Sequence, residues 1–258
     1  MNNSLTGLTV VNTRPAHQAR SLSELISTAG GSVIEFPVIE IKPPSSPEKL
    51  HVQLSKLANA NLAIFISANA VEAGIQALGG PDQWPNNVVI GAVGRSTAAK
   101  LHAFGLKCSL VASEPFNTEA LLTLPELQDL KGQSVKIFRG EGGRELLADT
   151  LSDRGAEVEY VECYRRMVPE SRPAKLYDCW DKKRVLLIVV TSNEGLENLF
   201  NLVEENHRQD LLSTPLVVVS QRVANKVKEL GFKVSPEVTV NPSNEAIIEK
   251  ILRWYKNN

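Results

Sequence analysis

The residues best suited to chemistry lie in a glycine-rich turn, Arg139-Gly140-Glu141-Gly142-Gly143-Arg144. Its glycines let a ligand approach the backbone, and its N–H groups would face an anion. No Lys-Ser/Thr pair follows it and the chain has no GxGxxG, which argues against a nucleotide phosphate loop. Tyr164, beside Arg165 and Arg166, is the second candidate. It is either a weak acid at a binding site or a strand tyrosine packing a sheet edge. No nucleophile stands out: there is no GxSxG and no Ser/His/Asp order with supporting context. Cys108, Cys163 and Cys179 form no CxxC pair and read as reduced structural thiols. The four histidines are scattered, with no HxH or HExxH, so no metal site is expected.

The turn belongs to a larger unit, Ser134–Arg166, which reads as strand, turn, amphipathic helix, Gly155 stop and second strand. A near copy, Thr9–Ile41, opens the chain, with Arg14 and Gly30 each 125 residues before Arg139 and Gly155. Two further pairs follow the same offset to within one residue. Ser67 and Ser192 are 125 apart, and Gly105 and Gly231 are 126 apart. The chain therefore repeats an order A-B-C, each letter a strand, a polar turn and a helix. Such units predict parallel sheets covered on both faces, with ligands gathered at the carboxyl ends of the strands.

Six turns become candidates for one site between two pseudo-equivalent lobes. They are Thr13-Arg14, Ser67-Ala68-Asn69, Gly94-Arg95-Ser96-Thr97, Arg139-Gly140-Glu141 with Gly143, Thr191-Ser192-Asn193 and Ser220-Gln221-Arg222. Taken singly, each is explained as a helix cap satisfying free N–H groups. An anion at one helix start gains about 0.3–1 kcal/mol, too little to offset the entropy cost of association. Several starts acting on one polyanion suffice. The set thus points to a large polycarboxylate and away from a single phosphate.

The remaining pattern is strands at Thr9–Thr13, Ser32–Ile41 (broken by Pro37), Leu62–Ile66, Asn87–Val93, Cys108–Val111, Val185–Val190, Leu216–Val219 and Val238–Val240. The first helix places Ala19, Leu22, Leu25 and Ile26 on one face. Lys42–Pro47 reads as a linker, and helical spacing resumes at His51–Ala58. A helix starts at Thr118–Leu122, and a last one at Asn244. Residues 258 in number, 43% apolar, 22% charged and a net charge of −1 describe an ordinary globular chain without a nucleic-acid-binding surface. No run reaches the ~18–20 apolar residues of a membrane helix. The N-terminus has no signal-peptide pattern, so a cytoplasmic protein is expected.

The ensemble of motifs resembles the uroporphyrinogen-III synthases of the bacterial type. It comprises TRPxxQAxxLxxLxxxxG with FPVIEI at Thr13–Ile41, FISANAVE at Phe65–Glu72 and AVGRSTA at Ala92–Ala98. RGEGGRELL with RGAxVxxxxCYRR at Arg139–Arg166 and VTSNEGLENL at Val190–Leu199 complete it. The resemblance implies an α/β fold of two similar parallel-sheet, three-layer lobes joined by a two-stranded connector. It implies a discontinuous first lobe, residues 1–37 plus 172–258, connector strands at 38–47 and 163–171, and a second lobe at 48–162. The implied reaction closes hydroxymethylbilane to uroporphyrinogen III, with loss of water and inversion of ring D, and needs no cofactor. That substrate carries four acetate and four propionate side chains, the polycarboxylate the turns call for. Tyr164 matches the family's tyrosine and is the implied catalytic residue, and the six turns are the implied carboxylate anchors. A monomer is implied, with a transient contact to the preceding deaminase.

Two other classes share the pattern. A two-lobed binding or regulatory module would have the same turns without turnover. A pseudo-symmetric racemase would want a cysteine at matched strand ends, where this chain has Ser67 and Ser192.

Overall fold

A computed structural model describes residues 4–170 and 172–258. Residues 1–3 of the expected first lobe and Ser171 of the expected connector lie outside the described residues. The elements follow in chain order. They begin with β1 (Thr9–Asn12), α1 (Ala16–Thr28), β2 (Ser32–Glu35), β3 (Glu40–Lys42), α2 (Pro47–Ser55), β4 (Leu62–Phe65) and α3 (Ala68–Leu78). Next come β5 (Val89–Ala92), α4 (Arg95–Ala103), β6 (Leu110–Val111), α5 (Thr118–Leu121), β7 (Ser134–Gly140), α6 (Leu146–Asp153) and β8 (Glu157–Met167). The last are α7 (Ala174–Asp181), β9 (Leu186–Val190), α8 (Asn193–Leu202), α9 (Arg208–Ser213), β10 (Leu216–Val218), α10 (Gln221–Glu229), β11 (Glu237–Val238) and α11 (Asn244–Asn257).

The chain divides into two compact units, residues 1–40 with 167–258, and residues 41–166. The first holds a five-stranded sheet ordered β11-β10-β9-β1-β2, in which all these neighbours pair in parallel. The second holds a six-stranded sheet ordered β3-β8-β7-β4-β5-β6, with parallel pairing from β8 through β6. Apart from β3, which adds an edge strand to the second sheet, the two orders are the same in repeat terms. Each runs from the second strand of its A unit (β2 or β8) through A, B and C to one further short strand.

Strand runs such as Leu186–Val190 are buried along their whole length, as a sheet covered on both faces requires. Alternation sorts their side chains between two layers. In the first unit Val10, Leu187, Val189 and Val217 meet Leu22 and Ile26 of α1 and Ile247 and Ile251 of α11. In the second, Leu62, Ile64, Val135 and Ile137 meet α5 and α6, while Ala63, Phe65 and Phe138 meet α2, α3 and α4. Phe65 and Phe138 stack with centroids 4.4 Å apart, and Trp84 closes the cluster.

Several expectations shift. Leu25 is 36% exposed because it lies on the flank of the α1 stripe set by Ala19, Leu22 and Ile26. The expected linker loses its last residue to α2, since Pro47 takes the first helical position, where no N–H is needed. β6 starts at Leu110, α5 is only four residues long, and β11 ends at Val238. Helix α7 falls in a stretch with no element expected. Its Tyr177 stacks on His207 with centroids 4.0 Å apart.

Helix α3 approaches β7 through Gly74, where an added Cβ would lie 2.8 Å from the Phe138 ring. The ring is wedged against Phe65 and cannot retreat. Gly74→Ala is therefore expected to cost about 1–3 kcal/mol, seen as a lower urea midpoint; an unchanged midpoint would contradict this packing.

Candidate active site

Each parallel strand delivers its chain to the same edge of its sheet, and there the next helix begins. In the second unit the neighbouring strands β7, β4 and β5 bring the turns at Arg139–Gly143, Ser67–Asn69 and Gly94–Thr97 side by side. In the first unit β1, β9 and β10 do the same for Thr13-Arg14, Thr191–Asn193 and Ser220–Arg222. The expected residues thus assemble as two sets of three turns, one at each sheet edge.

The caps are built alike. The hydroxyl oxygens of Ser67, Ser192 and Ser220 accept from the N–H groups of Ala70, Gly195 and Val223, at 3.1, 2.9 and 3.4 Å. Helix geometry leaves the other first-turn N–H groups without an intrahelical acceptor, pointing off the sheet edge. Ala68 and Asn69 open α3, and Asn193 opens α8 with its side-chain oxygen buried and unpartnered. Gly94 starts α4 without a side-chain cap. Behind it Thr97 is buried, Ser96 is exposed and Arg95 lies 5.0 Å from the Phe116 ring centroid. Gln221 and Arg222 are exposed at the start of α10.

Thr13 and Arg14 bind within their unit. The Thr13 hydroxyl donates to the Val189 carbonyl at 2.7 Å. The Arg14 guanidinium donates to the Pro242 carbonyl at 3.1 Å and to the Asn244 side chain, and burial lowers its pKa. These contacts reach the start of α11, which exposes a fourth turn. Ser243 caps α11 by accepting from Ala246, as Asn117 caps α5 by accepting from Ala120. The two caps are 126 residues apart, in Asn117-Thr118-Glu119-Ala120 and Ser243-Asn244-Glu245-Ala246. The repeat therefore has a fourth member, legible in a polar cap followed by the shared Glu-Ala but hidden by the short strands that precede it.

The glycine-rich turn is shaped by two contacts. Between Arg139 and Gly140 the β7–β8 register slips: Arg139 pairs with Glu162, but Gly140 pairs with Tyr164. Such a bulge shifts the alternation by one residue. Cys163 and Tyr164 are accordingly both buried in succession, and Tyr164 is turned under Gly140. A Cβ on Gly140 would meet the Tyr164 ring at 2.7 Å. The Glu141 N–H donates to the Tyr164 carbonyl at 2.8 Å, fixing the turn to this residue. The Tyr164 hydroxyl lies 3.2 Å from the Ser67 hydroxyl and accepts from Arg166 at 3.2 Å. The tyrosine thus links the A and B turns of its unit.

Glu141 is a carboxylate in a turn that would otherwise favour anions. Both of its oxygens are held by Ser45, through the N–H and the hydroxyl, and the Ser45 N–H holds its pKa below the usual range. Burial pushes the Cys163 thiol up to about 12, so it carries no thiolate at neutral pH. Tyr160, from the strand beside the turn, donates to Glu145 and lies under the Arg139 guanidinium, 4.3 Å from it.

The fold and this edge geometry define an α/β protein of two similar three-layer units, each with three helix starts gathered at one sheet edge. The comparisons name the family. Residues 20–248 match the family described as "Uroporphyrinogen-III synthase HemD". The uroporphyrinogen-III synthase of Escherichia coli K12 is 35% identical over 246 residues, covering 95% of this chain and all of that one. That of Salmonella typhimurium is 34% identical over 249 residues, again covering 95% and 100%. A mutant uroporphyrinogen III synthase from Thermus thermophilus shares the fold, with TM-score 0.65 over 97% of this chain and 100% of that chain at 20% identity. The Helicobacter pylori enzyme does so with TM-score 0.58, over 95% and 99%, at 16% identity. The chain belongs to the uroporphyrinogen-III synthase family. None of the helices among the described residues is long and apolar enough to cross a membrane.

Two outcomes test the geometry. Gly140→Ala forces the Tyr164 ring out of place and is expected to lower kcat/KM at least tenfold, about 1.4 kcal/mol. Ser67→Ala removes one cap and is expected to cost about 1 kcal/mol of stability with a mild kinetic effect, because backbone donors survive it. A severe loss from Ser67→Ala with a mild one from Gly140→Ala would reverse this assignment.

A second measurement concerns Tyr160. Burial, then the Glu145 hydrogen bond and charge, push its phenol up to about 12, against an ordinary value of 10.0. Because the folded value is raised, this contribution to stability is complete below about pH 10 and is lost as pH rises toward 12. Phenolate absorbance should show Tyr160 ionising near pH 12, and Tyr160→Phe should remove one tyrosine's share of the absorbance change there.

Proposed function

We propose that the chain closes hydroxymethylbilane to uroporphyrinogen III, inverting ring D and releasing water, as a cyclising lyase of tetrapyrrole biosynthesis. The observation that carries this reading is the match to curated synthases along 95% of the chain and the whole of each relative. The two sets of helix starts add a physical reason. Contacts of about 0.3–1 kcal/mol each become selective when many act on one octacarboxylate.

In this reading the turns at Thr13-Arg14, Ser67–Asn69, Gly94–Thr97, Arg139–Gly143, Thr191–Asn193 and Ser220–Arg222 anchor acetates and propionates, chiefly through backbone N–H groups. Lobes at 1–37 with 172–258 and at 48–162, with connector strands at 38–47 and 163–171, are the corresponding functional parts. Departure of the terminal hydroxyl as water leaves a cationic azafulvene. Attack by the substituted carbon of ring D gives a spiro-pyrrolenine, whose cleavage and reclosure invert that ring. Free in solution the same cation closes without inversion, so holding the chain folded is most of the catalytic task. Exclusion of water protects the cation.

Tyr164 is the group that donates a proton to the leaving hydroxyl. The Arg166 guanidinium, 3.2 Å from its oxygen, supports the negative charge that develops there. The reading includes a cytoplasmic monomer and a transient contact with the deaminase that supplies the unstable substrate.

Freshly generated hydroxymethylbilane, product oxidation and separation of the porphyrin isomers test the activity. The type III isomer is expected, and type I alone at the uncatalysed rate would refute it. In the same assay Tyr164→Phe should lower kcat by about 10²–10⁴-fold; wild-type turnover would remove its chemical role.

A further inference from the structure

Arg139 stands where the sequence suggests a carboxylate ligand, yet its side chain is only 3% exposed. The guanidinium donates to three carbonyls of its own turn: Gly140 at 3.3 Å, Gly142, and Arg144 at 3.4 Å. It pairs with Glu145 at 3.6 Å and lies on the Tyr160 ring, whose hydroxyl donates to the same Glu145. Cation, ring and carboxylate thus form a closed set beneath the turn.

Gathering carbonyls inward has a geometric consequence. In a trans peptide the C=O and N–H point in opposite directions. Drawing the Gly142 and Arg144 carbonyls onto the guanidinium turns the N–H groups of Gly143 and Glu145 away from it. Gly142 and Gly143 permit this conformation, with φ of +73° and +111°. A Cβ on Gly143 would also lie 2.7 Å from an Arg139 nitrogen. We infer that Arg139 is a positioning residue that moulds the glycine-rich turn so that its backbone, and not its own charge, presents donors to a substrate carboxylate. Tyr160 and Glu145 hold it in that role. This rests on the synthase reading and deepens it.

A lysine keeps the charge but cannot span three carbonyls with a planar fork. Arg139→Lys and Arg139→Gln should therefore behave alike. Each is expected to raise KM for hydroxymethylbilane about tenfold, the scale of a lost charge-assisted hydrogen bond, with kcat within about twofold. Amide hydrogen exchange at 140–145 should quicken in both free variants while the sheet stays protected. Tyr160→Leu leaves the arginine but removes its support. It should shift KM and exchange in the same direction, by about threefold, and it keeps the test alive if the arginine variants fail to fold. Recovery of wild-type KM by lysine, or unchanged exchange in the turn, would overturn the inference. Exchange is read without turnover, so a wild-type chain yielding only the type I isomer would refute the synthase reading while leaving this one decided.

Discussion

The arrangement depends on the polarity of the parallel strand-to-helix junction. A helix that follows a strand begins at the strand's carboxyl end, and its first N–H groups have no intrahelical partner. When strands run parallel, every such beginning falls on one edge of the sheet. Here the same order of A, B and C strands recurs in both units, so three of the six expected turns align at each edge. Ser67, Ser192 and Ser220 each satisfy one donor of their helix, and α1, α4 and α6 start without a side-chain cap. Each edge thus collects unpaired backbone donors without any excess of basic residues in the chain, whose net charge is −1.

Within that shared frame the two A units solve their turns differently. In the first unit β1 and β2 pair in unbroken register to Asn12 and Glu35, and a proline follows Arg14 directly. Arg14 reaches across to the start of α11. In the second unit the bulge at Arg139/Gly140 shifts the face that β8 presents, and this alone turns Tyr164 under the glycine-rich turn. The arginine at the matched position folds back on its own loop. Positions 125 apart therefore make different contacts, Arg14 beyond the end of β1 and Arg139 within β7, and only the second unit carries the tyrosine.

The repeat, the parallel class and the six turns were legible in the sequence because they rest on local signals. Apolar runs of four to five residues, polar caps and glycine stops survive almost any tertiary context. What escaped reading depends on contacts between distant segments. The bulge is a register choice between β7 and β8, and no residue type announces it. Arg139 reads as a ligand because burial of a guanidinium cannot be seen without Tyr160 and Glu145 around it. The fourth repeat member was missed because β6 and β11 are two residues each, too short to show alternation. Helix α7 was missed because its stripe is built around Leu176 and Cys179 and leans on the Tyr177–His207 stack, a long-range contact.

Backbone donors suit a reaction in which the ligand must change shape while remaining held. A lysine or arginine on the surface follows its carboxylate and binds ground state and transition state alike, which leaves the barrier unchanged. Helix starts are fixed by the sheet beneath them. Donors fixed in this way favour, in general, the conformer of a flexible ligand that matches their spacing. The one tyrosine placed among them is confined by Gly140, Ser67 and Arg166. The adjacent Cys163 is buried, which keeps it a neutral thiol. Both the confinement of Tyr164 and the shape of the glycine-rich turn require the bulge at Arg139/Gly140 to stay where it is.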